Sequence, residues 1–247
     1  MYNLTEIAED VYRISVFVPQ FNLAFSHFLV KDEEPLLFHA GLRGMFPLVR
    51  EAVAKVIDPA TLRYVGFSHF ESDECGALND WLELAPQSQA VCGLVGGLVN
   101  VNDFAIRPAR SLTREDALST GKRRFRFLPT PHIPHGWDAG LMFEETAGTL
   151  FCSDLFVQGG DREPLSTGDL IDRCRTDLIA AEGGPFAGAM PYTHRTGDVL
   201  NDLASHQPRT LAIMHGSSYS GDGAKALTEL STVLREVLGP REMSTIP

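Results

Sequence analysis

Three residue types that bind metal ions alternate in one short stretch, namely His69, Glu71 and Asp73 of the segment S-H-F-E-S-D-E-C. The stretch directly follows an apolar, strand-like run, and in an extended chain alternate side chains point to the same side. We therefore expect the imidazole and the two carboxylates to converge on one point. Imidazole and carboxylate groups are ligands for transition metals, so the pattern predicts a metal site.

Three more residues of the same types occur beyond predicted strands in the second half of the chain. His135 lies in P-H-G-W-D, Asp154 in F-C-S-D and His215 in A-I-M-H. Sites in α/β proteins are built where loops leave a sheet. Three imidazoles and three carboxylates, one of them able to bridge, could hold two metal ions a few ångströms apart. The predicted ligands are His69, Glu71, Asp73, His135, Asp154 and His215.

Short β-rich segments and amphipathic helices must carry these residues. Alternating and β-branched patterns predict strands at 11–18, 23–30, 35–38, 62–67, 88–92, 124–128, 139–144, 149–152 and 210–214. Helical spacing of apolar residues predicts helices at 45–57, 74–84, 168–181 and 224–238, and a short helix or turn at 93–100. Strand–helix alternation in two halves favours an α/β fold with sheets between helices. Loops that could cover the site are expected at 159–168 and 183–191.

The composition limits the classes of partner. The net charge of −11 argues against nucleic acid and anionic membranes as partners. No apolar run approaches the ~20 residues that cross a bilayer, and the polar, acidic start is not typical of a signal peptide. Four separated cysteines without a C-x-x-C motif indicate reduced thiols. These features together predict a cytoplasmic protein.

The ligand pattern resembles the metallo-β-lactamase superfamily, and more narrowly the lactamase-like domain of flavodiiron proteins. Between His135 and Asp154 lie 18 residues, and 60 separate Asp154 from His215, which is similar to the spacing in that branch. The resemblance spans essentially the whole chain. It implies a four-layer αβ/βα sandwich of the metallo-β-lactamase type. We expect residues 1–247 to form it as a single domain and, as a departure from the branch, no flavodoxin domain.

The resemblance also implies how the ligands share two metal ions, with Asp154 as the bridge. One ion would take His69, Glu71 and His135, and the other would take Asp73 and His215. Hydrolytic members usually carry H-x-H-x-D-H, with a histidine at the position of Glu71. A glutamate there adds charge and a hard oxygen donor, which suits iron or manganese better than zinc. We therefore expect two iron ions, with manganese or zinc as the alternatives.

Two positions leave the ligand set open. Glu74 stands where the common H-x-E-x-D-H pattern has its last histidine, so either this carboxylate binds the second ion or water fills the position. His132 and His135 both lie in T-P-H-I-P-H-G-W-D, but His132 would leave 21 residues before Asp154. His135 also precedes Asp138 by three, as in the H-W-P-D motif of the branch. We therefore choose His135 as the ligand and expect His132 beside the site.

By this resemblance, we expect a non-haem di-iron protein that binds dioxygen or nitric oxide. In one alternative it also reduces the bound gas. No G-x-G-x-x-G loop provides an FMN site in this chain, so electrons would come from a separate rubredoxin or flavin-reductase type donor. Two alternatives remain, an oxygen-sensing module without significant turnover and a zinc-dependent hydrolase. Relatives commonly form head-to-tail dimers, and a homodimer is left open here.

Overall fold

The computed structural model describes residues 1–240, which form two seven-stranded β-sheets with helices on their outer faces. The strands of the first sheet are β1 (Asn3–Ala8), β2 (Val11–Val18), β3 (Leu23–Val30), β4 (Leu36–Phe38), β5 (Tyr64–Gly66), β6 (Gln89–Gly93) and β7 (Arg110–Leu112). The strands of the second sheet are β8 (Ala117–Ser119), β9 (Arg124–Pro129), β10 (Gly140–Glu144), β11 (Thr149–Ser153), β12 (Leu165–Ser166), β13 (Thr210–Ile213) and β14 (Ser218–Ser220).

Helices connect the strands and cover both outer faces. They are α1 (Phe46–Val53), α2 (Ser72–Cys75), α3 (Leu78–Leu84), α4 (Leu94–Gly96), α5 (Asn102–Phe104), α6 (Ile171–Glu182), α7 (Thr196–Ser205) and α8 (Gly223–Leu238). A π-helical turn, Gly97–Val101, joins α4 to α5. None of the helices within residues 1–240 combines the length and the apolar character that crossing a bilayer requires.

Parallel pairing brings several strand ends to one edge of the molecule. In the first sheet β4, β5 and β6 are parallel neighbours, so the stretch after β5 begins at the same edge as the residue after β4. In the second sheet β11 and β13 are parallel neighbours, and β9 runs in the same direction as β11 because both pair antiparallel with β10. The segments after β9, β11 and β13 therefore leave that sheet at one edge. The amide of Gly140 donates to the Ser68 carbonyl (3.1 Å) and joins the two sheets there.

Three apolar layers hold the molecule together. Phe28 and Phe38 of the first sheet meet Phe151 of the second between the sheets, with ring centroids 5.7 and 5.2 Å apart. Residues such as Val49 and Trp81 bury α1 and α3 against the outer face of the first sheet. The helices α6, α7 and α8 cover the second sheet with residues that include Leu200, Leu227 and Leu230. The predicted four-layer αβ/βα sandwich is confirmed.

Most predicted elements are present, with two informative differences in the helices. The predicted strands 11–18 and 23–30 match β2 and β3 to the residue. The predicted helix 45–57 ends at Val53, and the amides of Lys55 and Val56 beyond it bond to carbonyls three residues back. The predicted helix 74–84 is instead two helices, α2 and α3. They separate at Ala77, whose amide donates to the carbonyl of Gly41 rather than within the helix (2.8 Å).

Candidate metal centre

Six of the predicted ligands gather at the edge where the strand ends meet, in two groups whose donor atoms lie within 4.8 Å of one another. Asp154 belongs to both groups. The first cluster consists of His69, Glu71, His135 and Asp154. The second cluster consists of Asp73, Asp154 and His215.

The backbone of the H-x-E-x-D stretch explains why its residues separate. Glu71 is extended (φ −139°, ψ 157°) and directly precedes α2, whose first turn carries Asp73. A helical residue turns the side-chain direction by about 100°, so Asp73 points to the second cluster while His69 and Glu71 face the first. Asp73 therefore does not converge with the other two side chains, as alternation alone suggests, but lies with His215, as the resemblance implied.

The first cluster is a compact set of donor atoms. Nε2 of His135 lies 2.8 Å from both Nε2 of His69 and Oε2 of Glu71, and those two atoms are 2.9 Å apart. Oδ2 of Asp154 is 3.3 Å from His135 Nε2 and 3.6 Å from His69 Nε2. Two ligands at right angles on one ion, each ~2.1 Å away, are about 3 Å apart. The spacing therefore fits donors that share one metal ion.

The second cluster contains two buried carboxylate oxygens that have no hydrogen-bond partner among residues 1–240. Nε2 of His215 lies 3.1 Å from Oδ1 of Asp154 and 3.4 Å from Oδ2 of Asp73. Asp73 Oδ1 and Asp154 Oδ1 are buried and accept no hydrogen bond from described residues. Buried oxygens without partners are costly, and a cation bound between these carboxylates would satisfy them.

Hydrogen bonds orient two of the imidazole rings towards the clusters. Nδ1 of His215 donates to the carbonyl of Ala24 (2.8 Å), and the ring packs edge-on against Phe25 (5.1 Å, 89°). Nδ1 of His69 contacts Oγ of Ser68 (2.8 Å). When Nδ1 carries the proton, the lone pair of Nε2 is free for a metal ion. Both rings therefore present Nε2 to the site.

The charges of the site favour bound cations. Burial lowers the pKa of His69, but the hydrogen bond to Glu71 and the charges of Glu74 and Asp154 outweigh it and raise this pKa to about 9. Burial likewise lowers the pKa of His215, and the carboxylates of Asp154 and Asp73 raise it to about 10. Without metal the site therefore attracts protons, which a metal ion would replace.

The two remaining residues of the first cluster, Glu71 and His135, are hydrogen-bonded to each other. Hydrogen bonds with His135 and His69 hold the pKa of Glu71 well below its usual range. The hydrogen bond with Glu71 raises the pKa of His135. Both side chains are partly exposed, at 49% for Glu71 and 27% for His135, so this side of the cluster faces solvent.

His132 and His135 differ clearly in position. His135 reaches the first cluster, whereas His132 is exposed on a left-handed turn (φ 66°) and belongs to neither cluster. The amide of His132 donates to the carbonyl of Gly136 (2.7 Å), which closes the turn around His135. The side chain of Asp138 accepts from the amide of Phe70 (3.0 Å) and so fixes the loop that carries the first ligands.

Glu74 points away from both clusters and is completely buried behind His69. Its carboxylate accepts hydrogen bonds from the amide of Ser68 (2.9 Å), from Ser68 Oγ (2.8 Å) and from Ser153 Oγ (2.6 Å). His39 is also fully buried, and its Nε2 lies 3.4 Å from Oε2 of Glu74. Nδ1 of His39 donates to the carbonyl of Ser26 (3.1 Å).

Sequence reasoning missed Ser68 and Ser153 as residues of the site. Each serine directly precedes a candidate ligand, His69 in one case and Asp154 in the other, and both are buried. Their hydroxyl groups lie 2.6 Å apart. The sequence does show a serine directly before a candidate ligand at two strand ends. That pattern indicates a supporting role only once Glu74 is known to lie between the two serines.

A cavity of about 760 Å³ opens at both clusters. Residues of both predicted covering loops line it, including Gly159 and Phe186. Helix α6 holds these loops, since Asp177 accepts from the amide of Gly159 (3.0 Å) and Glu182 from the amide of Gly188 (2.9 Å). Within residues 1–240, no Lys or Arg lines the cavity. Its apolar wall includes Phe21, Phe25, Leu42, Leu178, Phe186 and Met190.

The two sheets between helices, together with the donor clusters at their shared edge, are the arrangement of a metallo-β-lactamase-like protein. Residues 23–176 match the family model described as "ODP family beta lactamase". The chain therefore belongs to the ODP family of β-lactamase-like proteins.

Known relatives share this fold. The chain is 24% identical to rubredoxin-oxygen oxidoreductase of Megalodesulfovibrio gigas over 206 residues, which cover 80% of this chain and 49% of that protein. It is 23% identical to flavo-diiron protein FprA2 of Clostridium acetobutylicum, in a match that covers 94% of this chain and 70% of that protein. The structure of the flavodiiron protein from Giardia intestinalis superposes with a TM-score of 0.77 at 16% identity, covering 94% of this chain and 59% of that one.

The relatives are mostly longer than this chain. The match covers about half of the rubredoxin-oxygen oxidoreductase and less than two thirds of the Giardia protein.

Proposed function

We propose that this protein holds two non-haem iron ions that bind dioxygen or nitric oxide. The protein then reduces the bound gas with electrons from a separate donor. The observation that carries the proposal is the position of Asp154, whose Oδ2 faces the first cluster while Oδ1 faces the second. A carboxylate shared in this way suits two metal ions held close together.

The donor set supports iron more than zinc. Three imidazoles and three carboxylates surround the site, and Glu71 supplies an oxygen donor within 3 Å of two imidazole nitrogens. Oxygen-rich sites suit iron and manganese, whereas zinc prefers nitrogen and sulfur donors. The close contact of His69 Nε2 with His135 Nε2 (2.8 Å) also needs a cation or a proton between the two nitrogen atoms. Manganese and zinc are the alternative metals.

The residues of the chain would orient the ligands and control water around the ions. Ser68 and the Ala24 carbonyl hold two imidazoles with Nε2 towards the metals. Phe25 covers the ring of His215, and Leu42 extends this apolar wall. An apolar wall admits small neutral gases while giving water few partners. Glu71 and His135 form the exposed side, where a proton can reach Oε2 of Glu71 from solvent.

Bound iron would supply open coordination positions and one electron per ferrous ion. Reduction of dioxygen to two water molecules consumes four electrons and four protons, so repeated turnover needs an external donor. A rubredoxin or flavin-reductase type protein fits this role, by analogy with the named activity of the M. gigas relative. A sensor that binds the gas without significant turnover uses the same centre.

Oxygen consumption with a supplied donor tests the proposal. The iron-loaded protein is mixed with a reduced rubredoxin or a flavin reductase, and dioxygen is followed with an electrode. Continuous consumption well beyond one equivalent per di-iron centre supports the reductase. Uptake of one equivalent, followed by none, supports the sensor. Absence of any reaction of the iron-loaded protein with dioxygen and with nitric oxide contradicts the proposal.

The cavity favours a second candidate function, a zinc-dependent hydrolase. A volume of about 760 Å³ accepts an organic ester or thioester far larger than a diatomic gas. Metal-bound hydroxide is the usual nucleophile for such substrates. Hydrolysis of neutral acyl esters by the zinc-loaded protein, lost in Asp154→Ala, would support this function. No hydrolysis across esters and thioesters of different chain length would remove it.

A further inference from the structure

We infer that Glu74 is a positioning residue, which orients His69 through Ser68 and the Asp154 segment through Ser153, rather than a metal ligand. The inference rests on the proposed metal centre. It assigns a role to a carboxylate that lies outside both clusters and that has no exposed surface.

Burial of a carboxylate is unfavourable unless hydrogen bonds compensate for it. Glu74 receives three such bonds, all from two serines: the amide and Oγ of Ser68, and Oγ of Ser153. A carboxylate that is so completely bonded has no free oxygen lone pair directed to a metal ion. It is instead a fixed acceptor behind the clusters.

The first branch of the network reaches His69. Oγ of Ser68 lies 2.8 Å from Nδ1 of His69 and 2.8 Å from Oε1 of Glu74. Ser68 donates its single hydroxyl proton to the Glu74 carboxylate or to Oγ of Ser153, which lies 2.6 Å away and itself donates to Glu74. Ser68 then accepts the Nδ1–H of His69, which leaves Nε2 unprotonated and directed at the first cluster. Such a carboxylate-supported tautomer strengthens an imidazole ligand.

The second branch reaches the shared carboxylate. Ser153 directly precedes Asp154 and has a left-handed backbone (φ 50°), which is unfavourable for a residue with a side chain. Its hydroxyl donates to Glu74 Oε1 at 2.6 Å, and its carbonyl accepts from the amide of Met214 (3.1 Å). These bonds hold the turn that directs Asp154 between the clusters.

One carboxylate thus joins the end of β5 to the end of β11, so it couples the ligands supplied by the two sheets. His39 also packs against this carboxylate. Its Nε2 lies 3.4 Å from Oε2 of Glu74, and its side chain is completely buried. Replacement of this hydrogen-bond acceptor should therefore weaken metal binding without removing any candidate ligand.

Cobalt(II) binding to Glu74→Gln tests the inference, because cobalt(II) reports both affinity and coordination through its visible spectrum. The metal-free protein is titrated anaerobically in competition with a chelator. Glu74→Gln should bind cobalt(II) about 10- to 100-fold more weakly than the wild type, the range for partners behind metal ligands. Its cobalt(II) absorption bands should shift as well.

Glu144→Gln is the matched control. Glu144 is also completely buried, and its carboxylate accepts from the amides of Thr146 (2.7 Å) and Ala147 (2.8 Å), at the end of β10. This variant should keep the wild-type cobalt(II) affinity and spectrum, whatever its melting temperature. Equal loss of affinity in both variants, or wild-type binding by Glu74→Gln, would overturn the positioning role.

Ser68→Ala and Ser68→Thr give a second test if Glu74→Gln does not fold. Ser68→Ala removes the link to His69 but keeps the Ser68 amide bond to Glu74, so affinity should fall about tenfold. Ser68→Thr keeps a hydroxyl and should restore binding. Wild-type affinity in Ser68→Ala would overturn the inference. Because cobalt(II) replaces iron, these results do not depend on any reaction with gas, although absence of cobalt(II) binding by the wild type would overturn both proposals.

Discussion

Oδ1 of Asp154 lies 3.1 Å from Nε2 of His215, while the other oxygen of the same carboxylate faces His135 at 3.3 Å. The two histidines follow different strands of the second sheet, β13 and β9. The side chain of Asp154 therefore lies between two donor groups that the sequence separates widely. This position is the basis for the proposed two-metal centre.

Asp154→Ala should reduce the bound metal from about two ions per chain to fewer than one. Both clusters lose an anionic oxygen donor, and His215 keeps only Asp73 as a carboxylate neighbour. Metal content after dialysis, measured by elemental analysis, checks this expectation. Asp177→Asn is the control, since Asp177 lies in the cavity wall outside both clusters. Two ions per chain in Asp154→Ala would contradict the shared carboxylate.

His135→Asn and His132→Asn should show which of the two neighbouring histidines binds the metal ion. His135 reaches the first cluster, whereas His132 is exposed and belongs to neither cluster. Loss of a direct ligand should weaken metal binding by more than about 100-fold, beyond the range for residues behind the ligands. His132→Asn should leave affinity unchanged. Chelator competition measures both variants, and a greater loss in His132→Asn would reverse the assignment.

The metal-free protein should become less stable as the pH rises from about 6.5 to 10. His69 and His215 have folded-state pKa values of about 9 and about 10, above the ~6.5 of an unfolded histidine. Their stabilisation is fully present below about pH 6.5 and is lost as the pH rises through these values. The melting temperature should fall by more than about 3 °C, the shift caused by ~1 kcal/mol in a domain of this size.

Two variants control the pH experiment. His215→Asn should flatten the fall in melting temperature, because one of the two raised groups is gone. His194→Asn should keep the fall, since His194 is exposed and lies outside both clusters. A wild-type melting temperature that is constant or rises over this range would contradict the raised pKa values of His69 and His215.

Gly41→Ala should lower the free energy of unfolding by about 2–4 kcal/mol. Gly41 has a left-handed backbone (φ 87°), and an added Cβ would lie 2.2 Å from Cε1 of the buried His27. Gly44→Ala is the matched control, because nothing lies within 4 Å of the corresponding Cβ. Chemical denaturation measures both variants. Equal stability of the two alanine variants would show that the contact with His27 does not constrain this turn.

Strong periodicity made most of the fold predictable. The alternating pattern of β2 and β3 and the apolar stripe of α8 appear directly in the sequence. The short strands β7, β8, β12 and β14 have two or three residues each, too few to show a period. The break at Ala77 depends on a hydrogen bond to Gly41, a distant residue in the sequence, so no local pattern indicates it.

Candidate ligand types could be named from strand ends, whereas the residues that support them could not. Alternation alone would place Asp73 beside His69, but α2 begins at Ser72 and directs Asp73 to the second cluster, the grouping that the resemblance implied. Glu74 occupies a position between two sheets, and its partners Ser68 and Ser153 are 85 residues apart in the sequence. Contacts of this kind arise only when the sheets pack together.

Optical titration of the iron-loaded protein tests the central claim most directly. Metal-free protein is loaded anaerobically with ferrous iron and then exposed to dioxygen or nitric oxide, with zinc-loaded protein as the control. We predict about two iron ions per chain and a new visible absorption on gas addition that the zinc form lacks. An iron form without any spectral response to either gas, or protein from iron-supplied cells that contains two zinc ions and no iron, would contradict the account.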